Sequence, residues 1–87
     1  MARYFFDVIN GTGLTKDEEG QDLPSLAAAR DVAINGARAL MRDEVATGFI
    51  DFSARIEVKD RNRQAVVTIS FREAVEPRGL DGLSSHD

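Results

Sequence analysis

Residues 23–48 constrain this chain more than any other stretch. They run from Leu-Pro-Ser-Leu-Ala-Ala-Ala-Arg to Ala-Thr-Gly, with Gly36 as the one internal helix breaker. That is the length and composition of one long helix. Pro24 suits a first turn, where its missing N–H costs nothing, and Asp22 or Ser25 can cap it. Gly48 suits the stop, because glycine accepts the left-handed conformation just past a helix end. Leu26, Ala29, Ala33, Ala37 and Leu40 recur at three and four, with Ile34 and Met41 on one flank. Small residues dominate this stripe. Such a helix has to lie close on a sheet whose large side chains fill the remaining volume.

The flanking segments supply that sheet. In residues 3–9, Tyr4, Phe6 and Val8 share one face, while Phe5, Asp7 and Ile9 share the other. Asn10-Gly11-Thr12-Gly13 is a hairpin turn, and a short second strand is expected over residues 14–17. The acidic turn Glu18-Glu19-Gly20-Gln21-Asp22 leads into the helix. After it, residues 49–53 connect, with Phe49, Ile50 and Phe52 expected under the core. Residues 54–59 alternate cleanly, Ala54, Ile56 and Val58 inward against Arg55, Glu57 and Lys59 outward. A turn at residues 60–63 leads to a last strand over 65–71, with Ala65, Val67, Ile69 and Phe71 inward and Val66, Thr68, Ser70 and Arg72 outward. The expected fold is α+β, in the order β-β-α-β-β, with one long helix on one face of an antiparallel sheet. The expected domain is residues 1–76, with residues 77–87 a disordered tail.

Length and charge exclude several functions. A chain of 87 residues is one domain, burying roughly 60% of its unfolded surface, so a second copy would add stability. It has no Cys, which removes disulfides and thiolate chemistry and fits a reducing, cytoplasmic setting. No apolar run approaches the ~20 residues of a membrane span. The net charge of −4 argues against nucleic-acid and anionic-membrane binding.

The chemical candidates are thin. Asp17, Glu18, Glu19 and Asp22 offer oxygen ligands, but without the spacing of a calcium loop; a turn that complements the helix dipole explains them better. Asp7 and Glu57 would form a carboxylate pair if their strands are neighbours, which could raise one pKa. His86 stands alone in a polar tail, and Ser25, Ser53 and Ser70 have no histidine near a structured element to activate them. The glycines of the first hairpin lack the helix that a phosphate cradle needs. No catalytic residue, metal site or cofactor is therefore expected. The face turned away from the helix is the expected interaction surface, carried by Phe5, Ile9, Arg55, Lys59, Val66 and Arg72. Homodimer formation could use it, and one aromatic is too few for an RNA-stacking platform. Ala28, Val32 and Ala39 form a second, weaker apolar patch on the helix.

Several pieces together resemble a small family of alphaproteobacterial, rhizobial-type proteins known as a domain of unknown function. They are Arg3-Tyr4-Phe5-Phe6-Asp7-Val8, Asp17-Glu18-Glu19-Gly20, Leu23-Pro24 with Ala27-Ala28-Ala29-Arg30, Arg55-Ile56-Glu57-Val58, and residues 69–75. The resemblance implies a stand-alone bacterial domain and no particular activity. Asp17-Glu18-Glu19-Gly20 followed by Leu23-Pro24-Ser25-Leu26 is also similar, in part, to HicB-type antitoxin domains, though the chain lacks their Pro-Gly pair before the helix and room for a DNA-binding domain. The expected function is a non-catalytic protein-interaction or regulatory module. The alternatives are an antitoxin-like partner of a small toxin and a small ligand-binding domain.

Overall fold

The computed structural model describes residues 1–75. Among them the order is β1 (Ala2–Asn10), β2 (Gly13–Thr15), β3 (Gln21–Leu23), α1 (Leu26–Thr47), β4 (Arg55–Lys59) and β5 (Ala65–Ser70). The fold is α+β with one helix and an antiparallel sheet, as the pattern implied, but three strands precede the helix rather than two. The additional strand, β3, has only Leu23 as an apolar residue, so it carries almost no alternation for a reader of the sequence to find. The expected tail, and His86 within it, lie outside the described residues.

The sheet is built on β1. Along one side it pairs with β4, setting Phe5 opposite Lys59, Asp7 opposite Glu57 and Ile9 opposite Arg55. Along its other side it pairs with two short strands in turn: β3 covers Ala2 to Tyr4, and β2 covers Val8 to Asn10. β4 pairs onward with β5, with one extra residue in β5 near Val66 that bends its start. β3 and β4 both run antiparallel to β1, so α1 is the crossover that carries the chain from one side of β1 to the other.

Ser25 caps α1, its hydroxyl accepting from the Ala28 N–H at 3.1 Å, which leaves Pro24 just outside the helix instead of in its first turn. Gly48 ends it in the left-handed conformation at φ 107°. The buried ridge is Ala29, Ala33, Ala37 and Met41, a strict spacing of four. Leu26 and Leu40, expected in this stripe, are exposed. The reason is position: α1 packs chiefly on β4 and β5, so its contact line is rotated toward Met41 and Ile34 and away from Leu40. The ridge meets Ala54, Ile56 and Val58 of the β4 segment and Ile69 and Phe71 at β5, with Tyr4, Phe6 and Val8 packed at the margin. Ala65, expected inward, is exposed, because the extra residue in β5 shifts the alternation there. Of the connector, Ile50 is half-buried while Phe49 and Phe52 are exposed. Asp51 ties that connector to the first hairpin, its carboxylate accepting from the Ser53 and Gly11 N–H groups; the Ser53 hydrogen bonds hold its pKa below the usual carboxylate value.

Two helix substitutions separate close packing from open space. A Cβ on Gly36 would sit 3.6 Å from the Ile56 side chain, an ordinary contact, so Gly36→Ala is expected to stabilise by about 1 kcal/mol through helix propensity. Ala33 is sealed against the sheet, so Ala33→Leu is expected to destabilise by about 1–3 kcal/mol. Urea denaturation followed by circular dichroism checks both, and equal shifts for the two would contradict this packing.

Candidate functional site

The sheet face away from α1 carries alternate residues of β1, β4 and β5, and its centre is a buried carboxylate. Asp7 is 1% exposed. It is closed over by its own partners. Lys59 Nζ lies 2.8 Å from Asp7 Oδ2, and Arg63 Nη1 lies 3.8 Å from Asp7 Oδ1. The Asp17 N–H donates to Asp7 Oδ1 at 2.9 Å. Asp17 returns the bond one residue along, its Oδ2 accepting from the Phe6 N–H at 3.0 Å. Those two hydrogen bonds fasten the loop of residues 16–20 onto β1 in the gap between β2 and β3. Asp17 Oδ1 also accepts from the N–H groups of Glu19 and Gly20. This carboxylate is therefore occupied by backbone donors and not presented as a cation ligand.

The surrounding groups lock the same corner. Arg3 makes a two-pronged bond to Asp22 at 3.0 and 3.1 Å and donates to the Glu19 carbonyl. Gly20 has φ 71°, and a Cβ there would fall 2.7 Å from the Tyr4 carbonyl and 2.9 Å from the Phe5 ring, so glycine is required twice over. Arg63 stacks its guanidinium 3.8 Å from the centre of the Phe5 ring. It does so from a left-handed backbone at φ 65°, an unusual conformation for arginine in the turn between β4 and β5. Asp60 organises that turn, its carboxylate accepting from the N–H groups of Asn62 and Gln64.

The electrostatics follow from the partners. Burial pushes the Asp7 pKa up, but the Lys59 hydrogen bond, the Asp17 N–H and the nearby positive charges of Lys59 and Arg63 outweigh it, so the pKa lies below its ordinary value. Lys59 is correspondingly held above its usual value, foremost by its hydrogen bond to Asp7. Asp7 and Glu57 are indeed cross-strand neighbours, but Lys59 lies between them, 2.8 and 3.7 Å from each. The ammonium thus stands where a dyad would need the two carboxyls in contact, and the Asp7 pKa is lowered where such a contact would raise it.

The residues singled out from sequence are only partly brought together. Phe5 and Lys59 belong to the Asp7 cluster. Ile9 and Arg55 form the next row, in which Ile9 also faces the exposed Leu14 of β2. Val66 is exposed at the extra residue of β5. Arg72 lies past the end of β5, its guanidinium 5.4 Å from the centre of the Phe52 ring. Among the described residues no group of three or more His, Asp or Glu side chains is placed to hold a metal.

A second feature lies on the helix side. Because α1 sits over β4 and β5, the flank of β1 beside it is left as an open groove of about 330 Å³. Phe6, Val8 and Ile56 form its floor, with Val32, Gly36 and Leu40 as the helix wall. A second depression of about 240 Å³ shares Val8 and Leu40 with it and is lined by Asp43 and Glu44 near the helix C-terminus. Asp17 stands at the opposite rim. Val32 and Ala39, a weak patch in the sequence, face this groove.

These features define a small α+β domain: one helix set off-centre on a five-stranded antiparallel sheet, with a sealed ionic cluster on one face and an open apolar groove on the other. The chain belongs to DUF6894, a domain of unknown function, whose family model matches residues 3–72. No curated protein and no solved structure matches it. The resemblance to a family of unknown function is thereby shown, and the antitoxin likeness draws no support from these comparisons. No helix among the described residues is long and apolar enough to cross a membrane.

Asp7→Asn keeps the shape but leaves Lys59 and Arg63 without their counter-charge, and is expected to cost about 3 kcal/mol at neutral pH. The folded-state pKa of Asp7 is depressed below the ordinary 3.8, so its contribution is present above that value and lost as pH falls through the folded pKa. The gap in unfolding free energy between wild type and variant should therefore narrow in acid below about pH 4. A gap that stays constant down to pH 2 would show that Asp7 is not the charged centre.

Proposed function

We propose that this domain is a non-catalytic protein-interaction module that takes a basic, amphipathic protein segment into the groove between α1 and β1. The observation that carries this reading is the off-centre helix, which leaves Phe6, Val8 and Leu40 facing an open channel instead of a closed core. An apolar floor with acidic Asp43 and Glu44 toward the helix C-terminus suits a segment with one apolar face and a flanking Lys or Arg. Both depressions are open to solvent and not enclosed, which favours a peptide segment over a small molecule, since small ligands are usually enclosed over most of their surface. The ionised groups that stand out on the other face are engaged with each other, and no general base or nucleophile is among the groups described there.

A photo-crosslinking amino acid at Leu40, in the groove, is compared with one at Arg42, exposed on the far side of α1. Expressed in the native cells, position 40 is expected to give one discrete adduct that maps to a basic segment, and position 42 none. Asp43→Lys is expected to weaken that interaction roughly fivefold. Equal labelling from both positions, or an adduct at neither, would remove the groove as the binding surface.

A further inference from the structure

The two edges of the sheet are built differently. One edge is broken into β2 and β3, three residues each, with Asp17 occupying the interval and Lys16 and Asp22 nearby. Short, interrupted and charged edges are how a sheet resists pairing with another chain. The other edge is β5, whose sequence Ala-Val-Val-Thr-Ile-Ser has neither a charge nor a proline. It pairs with β4 alone.

The direction of its free groups follows from the ladder. The Phe71 N–H donates to the Ala54 carbonyl, and Val67 and Ile69 share its parity against β4. The backbone N–H and C=O of Thr68 and Ser70 therefore point away from the sheet. Among the described residues no hydrogen bond reaches them. Among the described residues, Thr68 is exposed and Val66 is 39% exposed on this strand.

We propose that β5 is a homodimer interface, in which two copies pair β5 with β5 antiparallel about a two-fold axis at Thr68. This inference is independent of the groove, which lies on the far flank of α1. A second copy is the occupant for two reasons. An antiparallel strand edge is complementary to itself, and this one meets its image without opposing like charges along the six residues of β5. The ends are complementary as well. The pairing brings the turn carrying the exposed Arg61 alongside the exposed Glu73 of the other copy, twice per dimer, while Arg72 is drawn toward Phe52. The result is a continuous sheet with both helices on one face.

The test uses the full chain in sedimentation equilibrium with a charge-pair rescue. Wild type is expected at twice its 9.5 kDa chain mass at tens of micromolar. Thr68→Lys sets two lysines opposite each other across the axis and is expected to raise the dissociation constant at least tenfold, as is Thr68→Glu. An equimolar mixture of the two should dimerise again, which a folding defect could not produce. Amide exchange supplies a second readout: the Thr68 and Ser70 amides should slow with rising protein concentration, while Val67 and Ile69 are protected throughout. Leu40→Glu, which alters the groove, should leave the dimer intact. A wild-type monomer at ~1 mM, or a mixture that stays monomeric, would overturn the proposal.

Discussion

A buried carboxylate in the middle of the central strand is the constraint on which the other features of this domain depend. Asp7 lies on the sheet face away from the helix, where alternation alone would leave it in water. Burying an ionised group is costly unless charge and hydrogen bonds replace the lost water. Three different segments supply the replacement: Lys59 from β4, Arg63 from the turn after it, and the Asp17 N–H from the loop before β3. Each has to reach the same atom pair, so their positions are fixed relative to one another. The left-handed Arg63 and the glycine at position 20 are consequences of that convergence. Both are backbone compromises that let a side chain or a loop close over Phe5 and Asp7.

This arrangement gives the two faces different characters. The outer face is closed by ion pairs and by the Phe5–Arg63 stack, and its charges are largely spent on each other. The helix face is sealed only where α1 lies, over β4 and β5. The alanine ridge brings the helix close to the sheet, and a close helix covers a narrow strip. Large residues on β1 then extend beyond its cover, which is why Phe6 and Val8 end as a groove floor and not as the centre of the core.

Much of this was legible in the sequence, in proportion to how strongly each element repeats. The long helix, the clean alternation of β4 and the aromatic β1 all carry period, and they were found. β3 carries none, because Gln21 and Asp22 owe their strand conformation to pairing with β1. The cluster was half visible. Asp7 and Glu57 could be suspected as neighbours, but not that Lys59 would lie between them, since side-chain reach across a strand pair depends on register. Arg63 falls in the turn expected over residues 60–63, with no pattern to mark it. Nothing in the sequence states that a turn will adopt a left-handed arginine to set a guanidinium over Phe5. The groove was the least legible feature, because a displaced helix and a centred one have the same stripe; only the weak patch of Val32 and Ala39 hinted at it, while Leu40 reads as part of the buried stripe.

The ionic cluster also bears on association. A well-packed apolar group in place of Asp7 and its partners could be as stable, since buried ion pairs often contribute little net stability. What an apolar group would not do is specify register. A one-residue slip of β1 would carry Asp7 to the helix side, against alanines, with no donor in reach. Asp7 and Asp17 thus hold β1 in one register and close the gap on its β2–β3 side. Closing one edge has a further effect. A sheet with two open edges can add copies indefinitely, whereas a sheet with one open edge, pairing with its own image about a two-fold axis, stops at two. The same carboxylates that fix the strand register therefore also limit how far the sheet can extend.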